Sequence, residues 1–328
     1  MKWTVGSLFC RKLYCNCGYV CYFLYVSHHG SVESVEFAVA DVSLELHEGE
    51  TYGLVGESGC GKSTTGRSVL GLVKPDGGEI IYKGQDLTKL SDAEFRPLRA
   101  DLQMVFQDTL SSLNPRSRIG QLLEEPMIIQ NIGIPEERRQ KVLDVLTMVG
   151  LSEEHYFRYP HELSGGQVQR LGIARTMIIN PKLIICDEPV SALDVSIQSQ
   201  ILNMLARLQK EMNLSLLFIS HDIGVVRYIS NRIGVMYLGT LVEEADTEEL
   251  FANTLHPYTK ALFASIPDFN RKERKVSLAG ELPQYTDEFK GCVFHTRCPY
   301  ATDKCRECAP TMKEVCPGHR VACHHLDG

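Results

Sequence analysis

The chain has 328 residues, 44% hydrophobic and 23% charged, an ordinary composition for a globular protein of one large domain or two modest ones. Its formal net charge of −7 argues against a dedicated nucleic-acid binder, which is usually basic. No stretch reaches the roughly 18 apolar residues that a membrane-spanning helix needs; the best candidate, Tyr19 to Val26, is far too short.

The start of the chain, Met1-Lys2-Trp3 onward, has the basic and apolar character of a signal peptide. It offers no clear small-residue cleavage site, however, and Cys10, Cys15, Cys17 and Cys21 crowd it. The chain is therefore expected in the cytosol, docked on a membrane assembly. Those four cysteines sit among aromatics in no standard metal spacing and read as buried thiols. Of the 12 cysteines in all, six more lie after residue 291, and Cys60 and Cys186 stand alone between. In a reducing compartment such clustering suggests metal or cluster ligation rather than disulfides.

From Val35 to Leu46, apolar and polar residues alternate as in strands. The turn His47-Glu48-Gly49-Glu50 leads to a short apolar strand, Tyr52 to Val55. Gly56-Glu57-Ser58-Gly59-Cys60-Gly61-Lys62-Ser63-Thr64 follows, and then a helix predicted over Thr65 to Leu72. Strand, glycine loop and helix come in the order a phosphate cradle needs. Gly56, Gly59 and Gly61 free the backbone N–H groups to turn inward around an anion, and the helix adds its positive end. In this pattern Lys62 reaches the β- and γ-phosphates and the Ser63 hydroxyl ligates Mg²⁺.

A turn at Lys74 to Gly78 precedes predicted strands at Glu79 to Tyr82 and Leu102 to Phe106. Residues 111–160 read as mainly helical, an inserted subdomain with a stripe at Val142, Val145, Leu146 and Val149 and with Met127-Ile128-Ile129 as core. Leu183 to Asp187 and Leu214 to Ile219 read as buried parallel strands, with helices over Val168 to Ile178 and Val195 to Met212. Alternating strands and helices predict an α/β fold with a mainly parallel sheet. The charged, proline-containing stretch 270–290 reads as a linker.

Each polar residue at a strand end has a chemical use. Asp187 can enter the Mg²⁺ shell, and Glu188 can polarise the attacking water as general base. Gln107 can offer its amide to the metal or the water, and His221 can donate to the γ-phosphate. Ligands of open α/β sheets bind at that edge. Leu163-Ser164-Gly165-Gly166-Gln167, a Ser-Gly-Gly turn at a helix start, is a second anion site. One cradle and one separate clamp per chain suggest a dimer in which each clamp closes on the other subunit's nucleotide.

These motifs, in this order, resemble the ATP-binding subunits of ABC transporters over roughly residues 36–328. Gly56 to Ser63 match the Walker A loop, Gln107 the Q-loop, and Leu163 to Gln167 the signature. Leu183 to Asp187 match Walker B, Glu188 the catalytic glutamate, Ser191-Ala192-Leu193-Asp194 the D-loop and His221 the switch histidine. The resemblance implies a P-loop NTPase (RecA-like) core, an antiparallel β subdomain, a helical subdomain over about 110–165 and a small Cys-rich C-terminal extension. It places the nucleotide-binding domain at 1–269 and the extension at 270–328. It further implies ATP and Mg²⁺ as cofactors, with Ser63, Gln107 and Asp187 around the metal and hydrolysis at a head-to-tail dimer interface. The implied partners are a second ATPase subunit, homo- or heteromeric, and two membrane permease subunits, with an external substrate-binding protein indirectly. The implied place is peripheral, on the cytoplasmic face of the plasma membrane.

Flanking text is similar to the oligopeptide/dipeptide importer branch: Val105-Phe106-Gln107-Asp108, Ser112-Leu113-Asn114-Pro115-Arg116, His256-Pro257-Tyr258-Thr259 and Gly291 to Pro299. Nickel importers share much of it. Val168 stands where Arg is usual after the signature, and Thr109 where Pro is usual after Gln107-Asp108. The branch opens with a strand carrying an aromatic that stacks on adenine; Phe23 and Tyr25 are the candidates. In the tail the resemblance implies Cys292, Cys298, Cys305 and Cys323 as ligands of a [4Fe–4S] cluster, for which four thiolates are the right set. Spacing alone offers zinc instead, through Cys305/Cys308 and Cys316/His319, and free thiols are the third reading. Two rivals to a transporter subunit remain. A soluble ABC ATPase of DNA repair or translation would carry a coiled-coil insertion or two motif sets, and a non-hydrolysing regulatory subunit would lack Glu188 or His221.

Overall fold

The apolar runs read as strands gather into one ten-stranded sheet, except Glu79 to Tyr82, of which only Ile81–Tyr82 forms a strand, in a separate pair. In the computed structural model the backbone is described at residues 20–29, 35–264 and 290–326, and side chains within these ranges from residue 38 onward. Five parallel strands form the centre, in the spatial order β9 (Arg232–Tyr237), β3 (Thr51–Val55), β8 (Ser215–Ile219), β7 (Leu183–Asp187) and β6 (Leu102–Val105). Strands β3 and β7 are buried at every residue, as parallel strands covered on both faces must be. Beyond β9, β10 (Thr240–Asp246) runs antiparallel to it. Next comes β2 (Val35–Leu46), which touches β10 through the one pairing Thr240↔Asp41, and then β1 (Val20–His29), antiparallel to β2. A separate pair, β4 (Ile81–Tyr82) and β5 (Gln85–Asp86), stands apart.

Strand β1 lies in the stretch that the pattern left unread. Val20-Cys21-Tyr22-Phe23-Leu24-Tyr25-Val26 is rich in aromatic and branched residues, which suit a pleated surface even without alternation. The side chains of Cys21, Phe23 and Tyr25 lie outside the described residues, as do Cys10, Cys15, Cys17 and the linker over 270–289.

Helices cover both faces. Helix α1 (Lys62–Val69) follows β3, α2 (Asp92–Phe95) precedes β6, and α3 (Ile119–Ile129), α4 (Pro135–Met148) and α5 (Gly165–Met177) pack on one another before β7. Then come α6 (Val195–Met212), α7 (Ile223–Ile229), α8 (Thr247–Ala252) and α9 (Pro257–Ala264), with α10 (Asp303–Glu307) in the tail. Two apolar clusters form, one holding Leu146, Ile173, Ile184 and Phe218, the other Leu54, Val69, Ile185 and Ile219. Ile184 and Ile185 belong to opposite clusters, because successive strand residues point to opposite faces. Each such buried aliphatic side chain contributes about 1.5–3 kcal/mol.

One expectation fails. Met127 is buried, but Ile128 and Ile129 are 50% and 52% exposed. The buried face of α3 carries Ile119, Leu122, Leu123 and Met127, and the helical turn rotates the next two residues off that face. Among the described residues no helix is long and apolar enough to cross a membrane.

The tail joins the sheet. Strands β11 (Lys313–Cys316) and β12 (His319–Val321) form a hairpin, and β12 pairs antiparallel with β10 through Glu243↔Val321 and Glu244↔Arg320. Buried Glu244 accepts from Arg232 at 2.5 Å and from Arg320.

Candidate active site

The parallel registers Val105↔Cys186, Asp187↔Ile219 and Leu54↔Ile219 bring four strand ends to one edge of the sheet. The phosphate loop and the polar residues of the strand ends meet there. Ser58, Gly59, Gly61, Lys62, Ser63 and Thr64 line a cleft of about 350 Å³ together with Gln107, Glu188, His221 and Ala38. Ala38 was not legible beforehand, since a small residue ahead of β3 carries no chemical signature.

The loop over 56–61 needs glycine where the backbone has no room. At Gly61 φ is +101°, and a Cβ would lie 2.1 Å from the Ala38 carbonyl oxygen. Gly61 caps α1, which starts three residues before the apolar pattern suggested. The buried Lys62 ammonium donates to the carbonyls of Gly56 and Glu57 at 2.8 and 2.9 Å, which holds it over the loop. Gly56, Glu57 and Cys60 do not line the cleft: Gly56 backs onto the Met236 carbonyl, and Cys60 is buried.

The Ser63 hydroxyl donates to Asp187 Oδ1 at 2.6 Å. Asp187 Oδ2 is buried with no hydrogen bond, and Arg67 stands 3.7 Å from it. Burial pushes the Asp187 carboxyl up, opposed by the Ser63 hydroxyl and the Arg67 charge. A desolvated carboxylate with an orphaned oxygen, next to a serine hydroxyl, suits a hard divalent cation, so the pair fits Mg²⁺. A Mg²⁺ ion there would neutralise phosphate charge during transfer.

Glu188 follows at φ +49°, a left-handed backbone that a residue with a Cβ adopts at a cost of about 1–3 kcal/mol. Its N–H bonds the Ile219 carbonyl at 2.9 Å, so the twist is fixed by the neighbouring strand. The twist aims the carboxylate sideways, where Oε2 accepts from Gln107 Nε2 at 3.0 Å and Oε1 lies 2.9 Å from His221 Nδ1. Three residues picked separately from three strand ends thus meet on one carboxylate.

The signature turn is elsewhere. None of Leu163, Ser164, Gly165, Gly166 or Gln167 lines the cleft. Ser164 N–H donates to Gln167 Oε1 at 3.0 Å at the start of α5, and a Cβ on Gly166 would meet Ile197 Cγ2 at 2.6 Å. The loop after Gln107 is tied to this helix by Thr109, whose hydroxyl donates to Gln169 Oε1 at 2.8 Å. Thr109 therefore supplies a buried hydrogen bond between the two segments.

The tail also reaches the phosphate loop. Arg297 donates to both carboxylate oxygens of Glu57, at 2.7 and 3.1 Å, and to the Tyr237 hydroxyl at 3.4 Å. The Glu57 N–H donates to the Tyr258 hydroxyl at 3.0 Å. Phe294 packs against Tyr237, Tyr258 and the buried His256. The sequence motifs around 256–259 and 291–299 contained these residues but gave no hint of their target.

Next to Arg297 in the chain is Cys298, and Cys298, Cys305 and Cys323 all lie near enough to act on the charge of Cys292. The Cys292 N–H bonds the Cys305 carbonyl at 2.7 Å. Burial, together with the neighbouring Cys305, Cys323 and Cys298, pushes the Cys292 thiol up to about 11. Cys292 and Cys305 are buried and Cys298 and Cys323 half-buried; four thiols are the donor set that a thiolate-bound cluster would take. Cys308 is exposed and stands apart from the zinc-like pair Cys316/His319, which instead meets Glu249.

Comparison with known proteins agrees with this geometry. Residues 39–191 match the family described as ABC transporter, and residues 242–305 match the oligopeptide/dipeptide transporter C-terminal region. The chain is 53% identical over 292 residues to the oligopeptide transport ATP-binding protein AppF of Bacillus subtilis, covering 88% of this chain and 89% of that one. It is 50% identical over 295 residues to OppF of Salmonella typhimurium, covering 88% of each. Among solved structures, the dimeric post-hydrolysis state of the ATP-binding cassette MJ0796 with ADP and Pi superposes with a TM-score of 0.64 at 32% identity, over 70% of this chain and 98% of that one. The chain belongs to the ATP-binding, ATP-hydrolysing subunits of ABC transporters.

Proposed function

We propose that this subunit powers import of oligopeptides or dipeptides from the cytoplasmic face of the plasma membrane, as a peripheral protein. It works with a second ATPase subunit, two permease subunits and, indirectly, an external substrate-binding protein. The observation that carries the hydrolytic part is Glu188, held between Gln107 and His221 beside Lys62 and Ser63. Ser63, Asp187 and Gln107 hold Mg²⁺, Lys62 and the loop N–H groups hold the phosphates, Glu188 takes the proton of the attacking water, and His221 donates to the γ-phosphate. Ser164 to Gln167 complete the site of the other subunit; none of them lines this chain's own cleft, which supports that reading. The similarity to oligopeptide transport subunits supports the peptide substrate. Cys292, Cys298, Cys305 and Cys323 hold a [4Fe–4S] cluster, whose visible absorption in anaerobically purified protein tests that assignment. A colourless, zinc-containing sample would reject it.

The hydrolytic assignment is tested with Glu188→Gln in the reconstituted transporter. ATP binding should persist while turnover falls about 10²–10⁴-fold; unchanged turnover would sink the general-base role. Peptide-dependent stimulation of wild-type turnover tests the substrate class, and stimulation by nickel instead would redirect it.

A further inference from the structure

We propose that Glu249, Cys316 and His319 form a binding site for a divalent transition-metal ion of zinc-like chemistry, which clamps the β11–β12 hairpin onto helix α8. One donor atom from each residue lies within 4.8 Å of the other two. Glu249 sits on α8, Cys316 ends β11 and His319 begins β12, so the three come from two parts of the fold about 70 residues apart in the chain.

The histidine is already oriented as a ligand. Its Nε2 lies 3.0 Å from Oε1 of Glu243, and both side chains are fully buried. The Glu243 oxygens also accept from the N–H groups of Leu255 at 2.7 Å and His256 at 3.1 Å. The carboxylate is thus fixed as an acceptor, and Nε2 must carry a hydrogen toward it. A carboxylate that takes the outer ring hydrogen and leaves the other nitrogen for the metal is the usual support of metal-bound histidine.

That leaves Nδ1 pointing at Glu249 Oε1, 3.2 Å away. In the neutral ring this is a lone pair facing a carboxylate oxygen, which only a cation can reconcile. A proton would serve, making an imidazolium between two carboxylates. A proton would leave the Cys316 thiol with no part in the cluster beyond its 3.7 Å contact to the same Oε1. A metal ion uses all three donors. Imidazole nitrogen, carboxylate oxygen and thiolate sulfur together suit a borderline ion such as Zn²⁺, with three protein ligands and a fourth position open to solvent at the exposed Cys316. Binding releases the thiol proton and any proton on Nδ1 to solvent, so affinity rises with pH. The gain is mechanical. All four residues of β11 are exposed, so packing does little to hold that strand, and a metal would staple it to the core.

The site is tested on the intact chain by zinc titration against a chromophoric chelator, with thermal unfolding alongside. Wild type and Cys308→Ser should bind one equivalent of zinc that Cys316→Ser binds more than about 100-fold less tightly, beyond what loss of an outer-shell partner does. Zinc should raise the Tm of the first two proteins and not of the third. Glu249→Gln, which keeps the shape of the side chain, should weaken the same equivalent at least about tenfold. Cys316 is exposed, so its serine variant should fold as wild type without metal. Equal zinc affinity in wild type and Cys316→Ser, or an equal loss in Cys308→Ser, would overturn the site and leave the buried imidazolium.

Discussion

Replacing Arg297 by Gln removes the cation that grips the phosphate loop from outside. Its side chain is 7% exposed and that of its partner Glu57 is 25% exposed. Losing one member of a buried ion pair costs about 3–5 kcal/mol, and an exposed pair is worth about 0–1 kcal/mol. The mixed burial and the two-pronged geometry place this pair at about 2 kcal/mol. Arg297 also covers the Tyr237 ring at 5.8 Å, so a single substitution would mix charge with packing. A double-mutant cycle of Arg297→Gln and Glu57→Gln isolates the pair. Urea unfolding and the Kd for a non-hydrolysable ATP analogue are measured on all four proteins. The coupling is expected at about 2 kcal/mol in stability. Because Glu57 belongs to the loop, Arg297→Gln should also raise the nucleotide Kd by up to about 30-fold, the equivalent of that energy. Coupling below about 0.5 kcal/mol, the limit for independent sites, would refute the brace. A full stability loss with unchanged nucleotide affinity would refute its influence on the loop.

Gly61→Ala forces a Cβ to within 2.1 Å of the Ala38 carbonyl at φ +101°; it should abolish nucleotide binding and destabilise by about 1–3 kcal/mol, which titration and urea unfolding check together. Burial holds the His256 pKa at about 3, against 6.5 when exposed, so the unfolded chain binds the extra proton between these values. Stability from this group is complete above about pH 6.5 and falls by about 1.4 kcal/mol per unit below it. From pH 7 to pH 5 the loss is about 2 kcal/mol, and urea unfolding of His256→Asn at both values should lack that slope. Ile128→Ser and Ile129→Ser should change stability by no more than about 0.5 kcal/mol, while Met127→Ala on the same helix should cost about 2–5 kcal/mol.

What could be read in the sequence is what is encoded locally. Glycines at 56, 59 and 61 with Lys62 and Ser63 describe a phosphate cradle within nine residues, and the run Leu183 to Asp187 announces a buried strand with an acid at its end. Gln107, Glu188 and His221 were legible one at a time as polar residues ending apolar strands. Their meeting depends on strand register, a property of three pairings at once. Met127-Ile128-Ile129 misled because three consecutive apolar residues cannot all face one side of a helix, and nothing in the triplet says which one turns inward.

The tail shows where legibility stops. Its motifs could be matched to a branch of the family, yet its fixed points all lie far away in the chain: Arg297 on Glu57 across 240 residues, and Arg320 on Glu244 and His319 on Glu243 across 76. Contacts of that separation leave no periodicity, so no window of sequence reveals them. They also explain how a segment with few apolar residues is held. Besides the buried Cys292, Val293, Phe294, Cys305, Val321 and Ala322 and the pairing of β12 with β10, the tail docks through Arg297, His319 and Arg320 onto carboxylates of the nucleotide-binding core. One of those carboxylates, Glu57, stands in the phosphate loop itself. A tail held in this way is sensitive to whatever its cysteines bind, because Arg297 is the direct neighbour of Cys298. Loss of the proposed cluster is therefore expected to loosen the phosphate loop, read as a rise in nucleotide Kd.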